Sequence, residues 1–175
     1  LQVKFLEENP HIGVVGTAVE KIDSQGKSLG VLDQPNSHDQ IVRRLIHNNP
    51  FFHSTIMLRR TSIEKNKIRY SSWMIRAQDY ELWTRLLQKT QGANLATPLV
   101  KYREHNNQSG KKIPHESLFF FHLAKLKFQL KLFMNQPRKA NMRQILFSVK
   151  IFIKEAISYF VSVCKLITCI FKRKS

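Results

Sequence analysis

The sequence predicts an α/β fold with an incomplete sheet, followed by amphipathic helices. Three observations carry this. Short β-branched and small-residue segments alternate with helical periodicity through about residue 110. The strands are few for a complete doubly wound sheet. From Glu116 onward the composition turns to Phe, Leu, Ile and Lys without strand punctuation. A boundary near residue 112 therefore divides residues 1–112 from a basic helical tail, residues 113–175.

Taken in order, Leu1 to Glu8 reads as the end of a helix closed by Asn9-Pro10. Residues 11–23, HIGVVGTAVEKID, form one strand or a bent pair, and Ser24-Gln25-Gly26-Lys27 is a turn signal. Ser37 followed by Gln40 predicts a capping box for a helix over about residues 38–47. FFHSTIMLRR, residues 51–60, reads as a strand. A helix begins near Ala77, because Tyr80, Trp83, Leu86 and Leu87 make one apolar stripe, and Gly92 is expected to end it. Leu99 to Arg103 reads as a short strand, and His105 to Lys112 as a polar loop. Two helical segments follow, broken at Asn135-Gln136-Pro137.

The 175 residues suffice for one sizeable core, and no secretory leader follows Leu1. Net charge is +17, unevenly placed: residues 111–175 hold 14 basic and 2 acidic residues, or +12. Such a surplus implies a polyanionic neighbour: nucleic acid, anionic lipid or phosphorylated substrates. Cys164 and Cys169 lack zinc-site spacing and read as reduced apolar packing residues, which fits a cytoplasmic setting.

Taking about 100° per residue, Lys139, Arg143, Lys150, Lys154, Lys165 and Lys172 fall within a sector of roughly 80° on the last helix. Phe and Ile fill the rest of the circumference. The longest charge-free run there, Ala156 to Cys164, is nine residues, whereas a span needs about 20. A cationic stripe beside a broad apolar face suits a helix lying in the headgroup region of an anionic membrane. Packing of that face on the same chain or on a partner is the alternative. The apolar residues are not interleaved with cations as stacking platforms, which argues against nucleic acid.

Two groups of residues invite chemistry. Asp79 stands in the first turn of a helix, where the dipole favours a carboxylate by about 0.3 to 1 kcal/mol whatever its role. Trp83 and Arg85 are placed to fix that helix beside a pocket. In KYREHNNQS, Lys101 and Arg103 alternate on a strand and set two cations on one face, fit to grip a diphosphate. His105 at the strand end has the chemistry of a divalent-metal ligand, and equally of a solvated strand end. His53, with Ser54 and Thr55, is by default a hydrogen-bonded sheet residue.

In order, LQVKFLEENPHIGVVGTAVEKID, FFHSTIMLRR, AQDYELWTRLL and YREHNNQS resemble the family 2 glycosyltransferases of GT-A fold, over roughly residues 1–110. The resemblance implies that Asp79 is the catalytic base, taking the proton of an acceptor hydroxyl as it attacks the anomeric carbon of a nucleotide sugar with inversion. Gln78 stands where the family often has Glu. Arg103 would neutralise the leaving diphosphate, His105 would help hold it or its metal, and His53, Ser54 and Trp83 would lie on the acceptor side. The cofactor implied is Mg or Mn, normally held by an Asp-x-Asp motif that this sequence lacks. The chain is thus expected to be the carboxyl-terminal, acceptor-side part of the catalytic domain, without the nucleotide-binding half. Its partners would be a nucleotide-sugar donor, a glycan or lipid-linked acceptor in cell-surface polysaccharide synthesis, and the anionic inner face of the cell membrane. The rival expectation is an inactive truncated remnant or a basic membrane-associated interaction module.

Overall fold

A computed structural model describes residues 1–72, 74, 76–104, 115–135 and 142–172. The chain divides into two compact units, one made of Leu1–Ser71 with Leu82–Lys111, the other of Ser72–Glu81 with Lys112–Ser175. The expected boundary at residue 112 had not foreseen that Ser72–Glu81 would join the second unit.

The first unit is a four-stranded mixed sheet carrying short helices, in keeping with α/β. Helix α1 (Gln2–Glu8) leads into the long strand β1 (Ile12–Ile22), then β2 (Ser28–Leu32), helix α2 (His38–Leu45), a 3₁₀ turn (His53–Thr55), β3 (Met57–Leu58) and α3 (Arg60–Lys65). The part of helix α4 (Gln78–Leu86) from Leu82 onward and strand β4 (Gln91–Arg103) complete it. Every sheet pairing is to β1. β4 runs parallel along its whole length, while β2 pairs antiparallel with its end at Val19–Ile22 and β3 antiparallel at Val14–Val15. β1 is therefore buried on both faces, and Val14, Val15, Ala18 and Val19 are wholly inaccessible. That explains why it reads as a continuous apolar run without alternation.

Several devices hold this sheet to its helices. Helix α1 ends over β1 because the Arg59 guanidinium donates to the carbonyls of Leu6, Asn9 and Ile12, the last at 3.0 Å. One side chain thus gathers carbonyls from the end of α1, its C-cap and the first residue of β1. The capping box of α2 forms as read, with the Ser37 amide donating to Gln40 Oε1 at 3.4 Å. Asn94 in β4 donates through Nδ2 to the carbonyls of Pro35 and Pro50, at 2.7 and 3.1 Å, and so ties two loops to the sheet.

Two expectations are corrected. Residues 51–60 are not one strand: the backbone amide and the hydroxyl of Thr55 both donate to Phe52 O, at 2.9 and 2.8 Å, curling the chain into the 3₁₀ turn. A hydroxyl bonding to its own local backbone competes with the sheet ladder. Gly92 does not terminate α4, which ends at Leu86 in a turn closed by Lys89 N and Thr90 N on Leu86 O. It lies inside β4, where a Cβ would come within 2.8 Å of the Leu87 side chain and 3.1 Å of Val14. The strand expected over Leu99–Arg103 thus starts eight residues earlier.

In the second unit, helix α5 (His115–Asn135) and helix α6 (Met142–Lys172) pack together. Phe119 meets Phe152 with ring centroids 5.6 Å apart, and Tyr80 meets Phe121 at 4.4 Å. Ala124, Phe128, Ile145 and Ser148 are buried. Helix α5 ends at Asn135, and Gln136 and Pro137 of the expected break lie outside the described residues. Burial pushes the Tyr80 phenol above its ordinary pKa and lowers that of the buried Lys125 ammonium. Cys164 is exposed, not packed. Among the described residues, no helix is long and apolar enough to cross a membrane.

Candidate functional site

Helix α4 contributes Asp79 in its first turn and Trp83 one turn later, Asp79 belonging to the second unit and Trp83 to the first. Asp79 is half-buried. The residue before the helix, Ala77, has φ of 55°, a left-handed conformation uncommon for a residue with a Cβ. Its carbonyl accepts the amide of Glu81 at 3.0 Å and opens the helix. The chain thus enters the segment bearing Asp79 through a conformation costing of order 1 kcal/mol, the kind of local strain that clusters at functional sites.

Within the first unit, Trp83 is wholly buried. Its indole lies edge-on to Phe51, centroids 5.4 Å apart, and tilted against the His53 ring at 6.2 Å. The structure therefore brings together two predicted acceptor-side residues, His53 and Trp83. Trp83 offers no surface of its own and acts as the floor beneath an exposed His53 and an exposed Ser54. Among the described residues its buried Nε1 has no hydrogen-bond partner, although such a group normally finds one. The 3₁₀ turn carrying His53 and Ser54 is bolted to the sheet by Thr55, whose Oγ1 accepts the Thr17 amide at 3.0 Å. Gln2 Nε2 adds a second tie, to Thr55 O at 2.7 Å.

Arg103, at the exposed end of β4, donates from one terminal nitrogen to Asp23 O and Ser24 O in the β1–β2 turn, at 3.1 and 2.9 Å. Neutral carbonyls position the guanidinium without neutralising it. Lys101 lies 3.9 Å from Glu20, and Lys21 pairs with Glu104 at 2.7 Å. Of the two cations that alternate on β4, only Arg103 has no carboxylate partner among the described residues, which leaves its charge available to an anion. Arg85 braces the loop before α4, donating to Arg69 O at 2.5 Å and Ser71 Oγ at 3.3 Å.

His105 lies outside the described residues, as do Lys139 and the side chains of Lys165 and Lys172. Among the described residues, no three His, Cys, Asp or Glu side chains come together to hold a metal ion. Two open grooves are present in the first unit. One, of about 450 Å³, runs between α1 and the Asn94–Thr97 stretch of β4. The other, of about 520 Å³ and largely polar, is lined by Asp33, Gln34, Pro35, Asn36, Gln40 and Arg44. The sequence reading had not pointed to Arg44, Arg59 or Asn94, nor to a tie from Thr55 to the sheet. Thr55, Arg59 and Asn94 act through hydrogen bonds between distant segments, for which periodicity carries no signal.

No family model matches the chain. It is 31% identical over 122 residues to an uncharacterized glycosyltransferase of Haemophilus influenzae, covering 65% of this chain and 38% of that protein. It is 30% identical over 113 residues to the O-antigen biosynthesis glycosyltransferase WbnJ of Escherichia coli, covering 63% of this chain and 43% of that protein. The chain thus spans about two fifths of the length of the curated relatives it matches. Over most of its length the chain is thus similar to two proteins that are named as glycosyltransferases.

Proposed function

We propose that this chain is the acceptor-side part of an inverting glycosyltransferase of GT-A fold, working with a nucleotide-sugar donor in the synthesis of a cell-surface polysaccharide or lipid-linked glycan. The observation that carries this reading is the similarity to two glycosyltransferases, one of them named for O-antigen biosynthesis.

In this reading Asp79 removes the proton of an acceptor hydroxyl as that oxygen bonds to the anomeric carbon. The bond from that carbon to the diphosphate breaks, and the nucleoside diphosphate leaves with its electron pair. A carboxylate within hydrogen-bond reach of a neutral hydroxyl contributes typically 10²- to 10⁴-fold. The first turn of α4 supports the role, because it presents a half-buried carboxylate at a helix start, where the dipole favours negative charge. Arg103 supplies positive charge where negative charge grows on the departing diphosphate. His53 and Ser54, exposed on a turn fixed by Thr55, line the acceptor's approach. A divalent cation belongs to this chemistry, but the described residues do not supply a site for one, and no step here depends on it.

The test is Asp79→Asn in the protein as expressed from its full reading frame, with a nucleotide-sugar donor. Transfer is expected to fall by 10² or more with donor affinity nearly unchanged. Undiminished turnover removes Asp79 from the base role. Arg103→Ala is expected to weaken nucleoside-diphosphate binding, and unchanged affinity refutes the clamp.

A further inference from the structure

Helix α6 carries three sectors that the sequence alone showed as two. At about 100° per residue, Ile145, Ser148, Phe152 and Ala156 fall on one side. Ile145 and Ser148 are buried there, and Phe152 meets Phe119 of α5. That stripe is used up in the helix pair. Next to it around the helix, Met142, Leu146, Ile153, Ile157 and Phe160 fall in a sector of about 60° and are 49 to 67% exposed. Beyond these come the exposed cations Arg143, Lys150 and Lys154. The broad apolar circumference read from the sequence is therefore divided: one part is core, and the other faces outward beside a cationic band.

We propose that the outward sector of α6 is a membrane-docking surface, its Leu, Ile and Phe side chains inserting among lipid headgroups while Lys150, Lys154 and Arg143 reach anionic phosphates. Three features choose this occupant over a protein groove. Contiguous exposed apolar residues on a helix of 31 residues mark an interaction face. The adjoining band is cationic, within a stretch carrying +12 of the chain's net charge, and so complements an anionic surface. Since no helix among the described residues can span a bilayer, the face is suited to lying in the interface. The inference goes beyond the glycosyl-transfer reading and stands whether or not the chain is a transferase.

The experiment is flotation of the full chain with vesicles of phosphatidylcholine alone and of phosphatidylcholine mixed with phosphatidylglycerol, without donor or acceptor. Each cation near an anionic surface is worth about fivefold, so Arg143→Gln/Lys150→Gln/Lys154→Gln is expected to lower partition to the anionic vesicles on the order of a hundredfold. Ile153→Gln/Ile157→Gln/Phe160→Gln, at exposed positions, is expected to lower it at least tenfold with helical circular dichroism unchanged. Neutralising three exposed cations of the first unit, Arg43, Lys65 and Lys89, is expected to leave it nearly unchanged. Equal loss in that control overturns the proposal, because diffuse net charge then accounts for binding. Partition undiminished in both α6 variants overturns it too. So does sedimentation showing a vesicle-free dimer that the Ile/Phe variant dissociates, since a second copy then covers the face.

Discussion

Thr55 offers a prediction whose size follows from its bonding. Its hydroxyl accepts the amide of Thr17, inside the central strand, at 3.0 Å, and donates to Phe52 O at 2.8 Å. Both Thr17 and Thr55 are almost fully buried. Strand β3 pairs with β1 only at Val14 and Val15, so at Thr17 a side chain replaces the missing strand partner. Thr55→Val keeps the shape and removes both bonds. It leaves the Thr17 amide unsatisfied in the core, at about 1 to 3 kcal/mol, and forfeits a second bond worth about 0.5 to 1.5 kcal/mol. The expected loss is therefore about 2 to 4 kcal/mol. With a urea slope of about 2 kcal/mol per molar, the unfolding midpoint falls by roughly 1 to 2 M, as followed by tryptophan fluorescence. Thr55→Ser, which keeps the hydroxyl and loses one methyl, is expected to cost about 1 kcal/mol. If Val costs no more than Ser, the hydroxyl is not what fastens the His53–Thr55 turn to the sheet.

Other outcomes follow from the same geometry. Gly16→Ala would set a Cβ 2.2 Å from Asn94 Oδ1 and 3.0 Å from Phe51. Because Asn94 is held by two loop carbonyls it cannot swing aside, and a loss of about 1 to 3 kcal/mol is expected in denaturant melts. Ala77→Gly relieves the left-handed φ of 55° but frees the unfolded chain, so stability is expected to change by less than about 1 kcal/mol. If the strain serves the site, transfer falls while stability holds, as paired melts and rate assays would show. Tyr80 keeps its proton in the folded state well above its ordinary pKa of 10.0, with burial as the cause. The unfolded chain loses that proton first, so stability is present below pH 10 and declines above it. Tyr80→Phe is expected to flatten that alkaline limb in melts taken from pH 9 upward, and an unchanged limb would put its origin elsewhere.

How much of this was legible in the sequence depends on the range of the forces involved. Helix α1, the capping box of α2 and helix α4 were readable, since periodicity and caps act within a few residues. The fate of FFHSTIMLRR was not, because β-branched content outweighed a hydroxyl bond that forms only once Thr17 is alongside. β4 was cut short for a similar reason. Gly92 and Pro98 look like punctuation, yet Gly92 serves close packing. Pro98 sits at a bulge where the register jumps from Thr17 opposite Leu95 to Ala18 opposite Pro98. For the candidate site, residue types and order pointed to His53, Trp83 and Arg103. That Trp83 would be wholly buried, and that Arg103 would rest on turn carbonyls with its charge uncompensated, depends on contacts some 30 to 80 residues apart in the chain.

The pairing of every strand to β1 has a consequence for how the first unit comes into being. β4, the longest partner, joins β1 only after β2, α2, β3, α3 and α4 have been made. Parallel closure over so long an intervening stretch delays the contacts that reward it, which slows folding. During synthesis β1 must wait, its apolar edge unpaired, until the chain has passed Gln91. A nascent chain released at Leu86 therefore presents an aggregation-prone strand, whereas one released after Arg103 holds all four described strands.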